Sequence, residues 1–162
     1  MATRLEQLYE EDFYAWTRAQ AAALRRLAAS RPNLELDFPH LIEEVADLGI
    51  SQRDAVRSQV RRILEHCLKL EYSSAREPRT GWHESIIQAR TEIEDKLTPT
   101  LRRGLPARLP RLWQQARRNA AAALRLHGEE FAADDLPSAC PYRLPDLLRH
   151  DWLPSNRHGL EP

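Results

Sequence analysis

From Asp37 to about Ser74 the chain repeats one pattern. Leu41, Val45, Leu48, Val56, Val60, Ile63, Cys67 and Leu70 recur at steps of three, four, seven or eight, which holds them on one face of a 3.6-residue period. The spacing predicts a single long amphipathic helix with its apolar stripe buried against other helices. Some 37 residues at ~1.5 Å each make a rod roughly 55 Å long. Asp37 is placed to cap its N-terminus, with Pro39 in the first turn, where a missing N–H costs little. Gly49 falls on the stripe itself. It marks either a close approach by another helix or a break near Gly49-Ile50-Ser51, and glycine's helical cost of ~1 kcal/mol relative to alanine leaves room for a continuous or bent helix.

Three further helices follow from the same periodicity. One starts near Tyr9 to Asp12 and runs to about Ser30, with Phe13, Trp16, Gln20, Ala23 and Leu27 inward; Arg31-Pro32-Asn33 ends it. Another, capped by Thr80, has Trp82, Ile86, Ala89, Ile93 and Leu97 inward, with Trp82 buried, and ends before Pro99. Leu105-Pro106 introduces the last, which runs to about His127 with Leu109, Leu112, Trp113, Ala116, Ala120, Ala123 and Leu124 on one face and Gly128 as its C-terminal stop. From Glu129 onward prolines cut the apolar pattern into short pieces. They leave room for a helical turn or two over Pro145 to His150, while Tyr142, Leu144, Leu147 and Trp152 can pin the segment. The expected fold is all-α: an antiparallel bundle of four principal helices, one of them very long, with an irregular proline-rich C-terminal tail. Residues 1–154 are expected to form one helical domain, and 155–162 a loose tail.

Composition agrees with helix. Apolar residues make up 42% of 162, glycine occurs five times, and β-branched runs are absent. No apolar run approaches the roughly 20 residues that span a bilayer. The amino-terminal stretch lacks the apolar core of a secretory signal, which points to the cytoplasm and to Cys67 and Cys140 as thiols. A net charge of zero conceals a layout: residues 96–128 carry eight bases and no acid, whereas 1–50 and 129–162 are each acidic by four.

That basic segment supplies the main candidate site. Arg108, Arg111, Arg118 and Arg125 project from one side of the last helix, opposite its leucine and tryptophan face, with Arg117 at the edge and Arg102 and Arg103 before it. A one-sided basic stripe is the electrostatic footprint expected of phosphate contact. It fits an acidic partner protein or weak, non-specific nucleic acid, since no aromatic is interleaved to stack on bases. The opposing reading is a solvated face whose arginines pair with the acidic ends of the chain.

Catalytic alternatives are weaker. His40, Glu44 and His66 share a polar edge of the long helix, but His40 and His66 are about 39 Å apart along a straight rod and cannot share one metal without a sharp break near Gly49; a better-spaced set pairs His66 with His83 or Glu84, yet no Glu-x-x-His pair or close histidine cluster supports it. Glu43-Glu44-x-x-Asp47 and Glu92-x-x-Asp95 superficially resemble the acidic motifs of all-helical nucleotide pyrophosphohydrolases, yet acids at a helix entry are explained by the helix dipole. Cys67 sits on the apolar stripe without a partner base. No glycine-rich phosphate loop occurs, and no cofactor is expected.

Tyr9-Glu10-Glu11-Asp12-Phe13 and Trp16; Leu41-Ile42-Glu43-Glu44 with Leu48-Gly49; His66, Leu68, Lys69 and Tyr72; Trp82, Ile86, Arg90 and Ile93; and Cys140-Pro141-Tyr142 follow one another in an order that resembles the bacterial family named domain of unknown function 29. The resemblance spans nearly the whole chain. It implies an all-helical domain and carries no established activity; Leu70 and Phe38-Pro39 depart from its pattern. The chain thus reads as an uncharacterised helical protein, foremost a non-enzymatic interaction module using its basic helix face. The alternative is a metal-dependent hydrolase centred on Glu44, His66 and His83.

Overall fold

A computed structural model describes residues 3–31 and 33–161. Pro32, expected to end the first long helix, lies outside the described residues. Seven helices occur among them and no strand: α1 (Arg4–Glu11), α2 (Phe13–Ala29), α3 (Phe38–Tyr72), α4 (Arg79–Lys96), α5 (Pro99–Leu126), α6 (Glu130–Asp134) and α7 (Leu144–Leu148). The four long ones, α2 to α5, correspond to the four principal helices expected. The chain divides into two compact units, Met1–Ala55 with Lys96–Gly104, and Val56–Asp95 with Leu105–Pro162.

In the first unit the single amino-terminal helix of the sequence reading is two. Thr3 and Glu6 form a capping box that starts α1, and Asp12 interrupts the run to cap α2. One Asp12 carboxylate oxygen accepts from the Ala15 amide at 3.0 Å and the other from the Thr100 amide at 2.8 Å. The inner face of α2 also differs. Thr17 and Ala21 are its buried residues, one position round from Trp16 and Gln20, while Phe13 and Trp16 stack on each other and both meet Tyr9 edge-to-face, with ring centroids 4.9 to 5.6 Å apart.

The reason lies in α3. Asp37 caps it as expected, accepting from the His40 amide at 3.3 Å, and the helix runs unbroken through Gly49. Gly49 is buried, and a Cβ there would stand 2.1 Å from the Thr17 hydroxyl oxygen. Close approach, not a break, is the use of this glycine, and only a small residue opposite it permits the contact. Within this unit the apolar stripe is incompletely covered: Leu41 is 38% exposed and Leu48 53%.

The second unit contains the continuous core. From α3, Val56, Val60, Ile63, Cys67 and Leu70 are buried as the stripe predicts, joined by Leu64 and Leu68. Ile86, Ala89 and Ile93 of α4 and Leu112, Trp113, Ala116, Ala120 and Leu124 of α5 complete it. Trp82 is a correction: it is half-buried at the wall of a cleft, not a core residue. Helix α5 begins at Pro99, well before the expected Leu105, because Thr98 caps it and Pro99 occupies a position that needs no N–H. Pro106 and Pro110 therefore lie inside the helix. At its other end Gly128 adopts φ 77°, with the Glu129 amide bonded to the Leu124 carbonyl at 2.9 Å and the Gly128 amide to that of Arg125 at 3.0 Å, a Schellman stop.

The proline-punctuated segment contains α6 and α7 and is tied down at its end. Residues 155–161, read from sequence as loose, hold fixed partners: the Asn156 amide donates to the Leu70 and Ser73 carbonyls at 2.7 and 2.9 Å, and the Arg157 amide to that of Glu71 at 2.9 Å. These bonds occupy the open carbonyls at the end of α3.

Candidate functional site

The arginines of α5 divide by what they touch. Leucine, alanine and Trp113 occupy the inner face, so residues roughly half a turn away are carried to solvent. Arg125 donates to Asp134 of α6 at 2.7 Å. Arg117, at the edge, turns onto the main chain and donates to the Leu136 and Pro137 carbonyls at 3.0 and 2.8 Å. Arg108, Arg111 and Arg118 are exposed, and none has an ion-pair partner among the described residues. The acidic carboxy-terminal segment thus neutralises one member of the stripe, Arg125, and leaves three cations facing water on one helix side.

The metal candidates do not gather. Glu44 is exposed on the part of α3 that belongs to the first unit. His66 is largely buried in the second, with an Nδ1 that has no hydrogen-bond partner. Burial holds its imidazole down at about 4; Lys69 and Arg62 push the same way and Glu65 opposes them. His83 is half-buried on α4. Among the described residues no three histidine, cysteine, aspartate or glutamate side chains stand close enough to hold a metal ion. His40 pairs with Asp37 at the entry of α3, Nδ1 to carboxylate 2.5 Å, and that contact raises its pKa. Cys67 is fully buried, its thiol pushed up to about 12 by desolvation, which makes it a small apolar core group rather than a nucleophile.

Two arrangements escaped sequence reading. The first is a pair of buried arginines on α4. Arg90 donates from Nε to the Leu147 carbonyl at 2.9 Å, and from its two terminal nitrogens to those of His150 and Trp152 at 3.3 and 2.8 Å. Arg79 joins the Leu70 and Glu161 carbonyls at 3.0 and 2.6 Å. Their spacing places them beside Ile86 and Ile93, but their acceptors are backbone carbonyls, which no residue type announces. The second is Glu129, whose carboxylate accepts from the Ser73 hydroxyl at 2.6 Å and from the Ser74 amide and hydroxyl at 2.7 and 2.9 Å. Beside it a cleft of about 600 Å³ is lined by Lys69, Arg76, Glu77, Trp82 and His127. Glu129 is itself part of that lining, so its two acids, Glu77 and Glu129, balance its two bases, Lys69 and Arg76.

Among the described residues no helix is long and apolar enough to cross a membrane. In fold the chain is similar to an α-helical protein of unknown function from Rhodospirillum rubrum, known from its crystal structure. The two share 28% identity over 89% of this chain and 90% of that one, with a TM-score of 0.74. No curated protein matches the chain. The family model described as domain of unknown function DUF29 matches residues 8–153, nearly the full span of the helices. By that match the chain belongs to the DUF29 family.

Proposed function

We propose that this protein is a non-enzymatic interaction module, and that the outer face of α5 is the surface it offers to an acidic partner protein. One observation carries the reading: Arg108, Arg111 and Arg118 remain exposed and without acidic partners among the described residues, although acid-rich segments flank the helix in sequence. Guanidinium forks bind carboxylates bidentately, and three on one helix side favour a partner with acids at similar spacing. Trp113, the aromatic that falls between them in sequence, is buried on the opposite face and cannot stack on bases, which makes single-stranded nucleic acid the poorer fit. A metal-dependent hydrolase needs convergent ligands, and among the described residues no group of three supports one.

The test is a salt titration of binding to a poly-glutamate peptide and to RNA, comparing wild type with the Arg108→Gln, Arg111→Gln, Arg118→Gln triple variant. The wild type is expected to bind poly-glutamate, with affinity that falls as salt rises, and the variant to lose at least about tenfold, ~1.4 kcal/mol. Superimposable curves for the two proteins would remove the face from consideration. Tighter binding to RNA, with a dissociation constant on the order of 10⁻⁴ to 10⁻⁶ M or below at physiological salt, would replace the acidic protein by nucleic acid.

A further inference from the structure

The first unit contains a cleft whose chemistry differs from that of the basic helix face. Its lining comes from α2, from the early part of α3 and from Thr100, and borders an open groove of about 770 Å³. The floor is made of alanines, Ala15, Ala19 and Ala22 of α2 among them, with Ile50 of α3 beside them. Every charged side chain in the lining is an arginine: Arg18 and Arg25, one above the other two helical turns apart on α2, and Arg53 facing them from α3.

These cations are unevenly committed. Arg53 is steadied by its sequence neighbour Asp54, Nε to carboxylate 2.9 Å. Arg18 lies over the Tyr14 ring, 5.9 Å from its centroid, and keeps its fork free. Neither Arg18 nor Arg25 has an ion-pair partner among the described residues, and both are exposed. The result is a two-part surface: an apolar trough short of side-chain volume, with guanidinium groups and no carboxylate in its walls. Arginine alone would fit many anions, and an alanine trough alone would fit nothing in particular. Together they select an anion that carries an apolar body.

We infer that this cleft binds a small organic phosphate, its phosphate held by Arg18 and Arg25 and its apolar body laid over the Ala15, Ala19 and Ala22 floor. Bidentate guanidinium-to-phosphate bonds supply the polar end, and methylenes laid on the floor are removed from water. The site is independent of the α5 face, so either can fail without the other.

Calorimetric titration of the full chain with hexyl phosphate, inorganic phosphate and hexanol tests it. Hexyl phosphate is expected to bind at least about tenfold more tightly than inorganic phosphate, and hexanol not measurably. The Arg18→Gln, Arg25→Gln double variant should weaken hexyl phosphate by at least about tenfold. Ala22→Leu, which fills the trough, should weaken hexyl phosphate while leaving inorganic phosphate unchanged. The Arg108→Gln, Arg111→Gln, Arg118→Gln triple variant should bind hexyl phosphate like wild type, which separates this site from the helix face. Circular dichroism confirms that each variant is folded. Three outcomes would overturn the inference: no heat from hexyl phosphate at millimolar concentration, equal affinity of wild type and the double variant, or capture by phosphatidic acid vesicles without binding of soluble hexyl phosphate.

Discussion

Arg90 is 1% exposed, and all the hydrogen-bond partners of its guanidinium are main-chain carbonyls, those of Leu147, His150 and Trp152. Burial lowers its pKa, but a guanidinium stays charged in any ordinary solvent. A buried cation that satisfies carbonyls which otherwise lack donors acts as a clamp. Replacing Arg90 by alanine orphans those carbonyls and opens a cavity, so the expected loss is about 3 kcal/mol or more, read as a lower urea midpoint. Arg90→Lys should recover only part of it, since a point ammonium cannot reproduce the planar fork. A loss under about 1 kcal/mol for the alanine variant would show that the bonds from Arg90 are dispensable.

Between α2 and α3 the contact of Gly49 with Thr17 sets the spacing. Alanine at position 49 gains ~1 kcal/mol of helix propensity, but its Cβ would stand 2.1 Å from the Thr17 oxygen. Overpacking of this kind costs about 1 to 3 kcal/mol, so Gly49→Ala should be net destabilising. Thr17→Ala should partly rescue it, giving a favourable coupling of about 1 kcal/mol in a double-mutant cycle by urea denaturation. Additive or stabilising behaviour would place the two helices further apart than described. The same contact explains which faces were legible. The inner face of α5 repeats leucine, tryptophan and alanine at helical spacing over about four turns, with no polar residue among them, and reads directly, as does α3 from Val56 onward. On α2 the largest apolar residues, Phe13 and Trp16, draw the eye to one side, while closeness to Gly49 requires the small pair Thr17 and Ala21. Periodicity weighs hydrophobicity and is blind to how near a partner backbone comes. The α5 arginines were placed by the same periodicity, but whether acids cover them depends on where Asp134 and the 136–137 carbonyls lie, which is tertiary information.

Across the whole molecule, Asp12, Glu129 and His66 tie stability to pH in one direction, whereas the exposed His40, raised by Asp37, acts in the opposite one. For Asp12 and Glu129 burial works upward, yet hydrogen bonds from Ala15 and Thr100, and from Ser73 and Ser74, outweigh it and leave both carboxyls below their ordinary pKa. Their stabilisation is present above the carboxylate range and lost as pH falls through the folded values. His66 acts in the same sense: the unfolded chain takes its proton near 6.5 but the folded one only near 4, so stability falls as pH drops between those values. Urea midpoints measured at pH 7.5 and pH 5 should therefore decline with acid, and His66→Gln should reduce that decline. A pH-independent midpoint, or an unchanged slope in the variant, would contradict the assignment of His66. The bonds that close the second unit also impose an order in time. Arg79 is synthesised 82 residues before its acceptor Glu161, and Arg90 between 57 and 62 residues before the carbonyls it joins. At ~5–20 residues per second, that leaves the Arg79 guanidinium waiting roughly 4 to 16 s on a growing chain. Until residues 147–161 have been made, α4 therefore carries two guanidinium groups on a face that is buried in the folded protein, and closing that face earlier would bury cations without these acceptors.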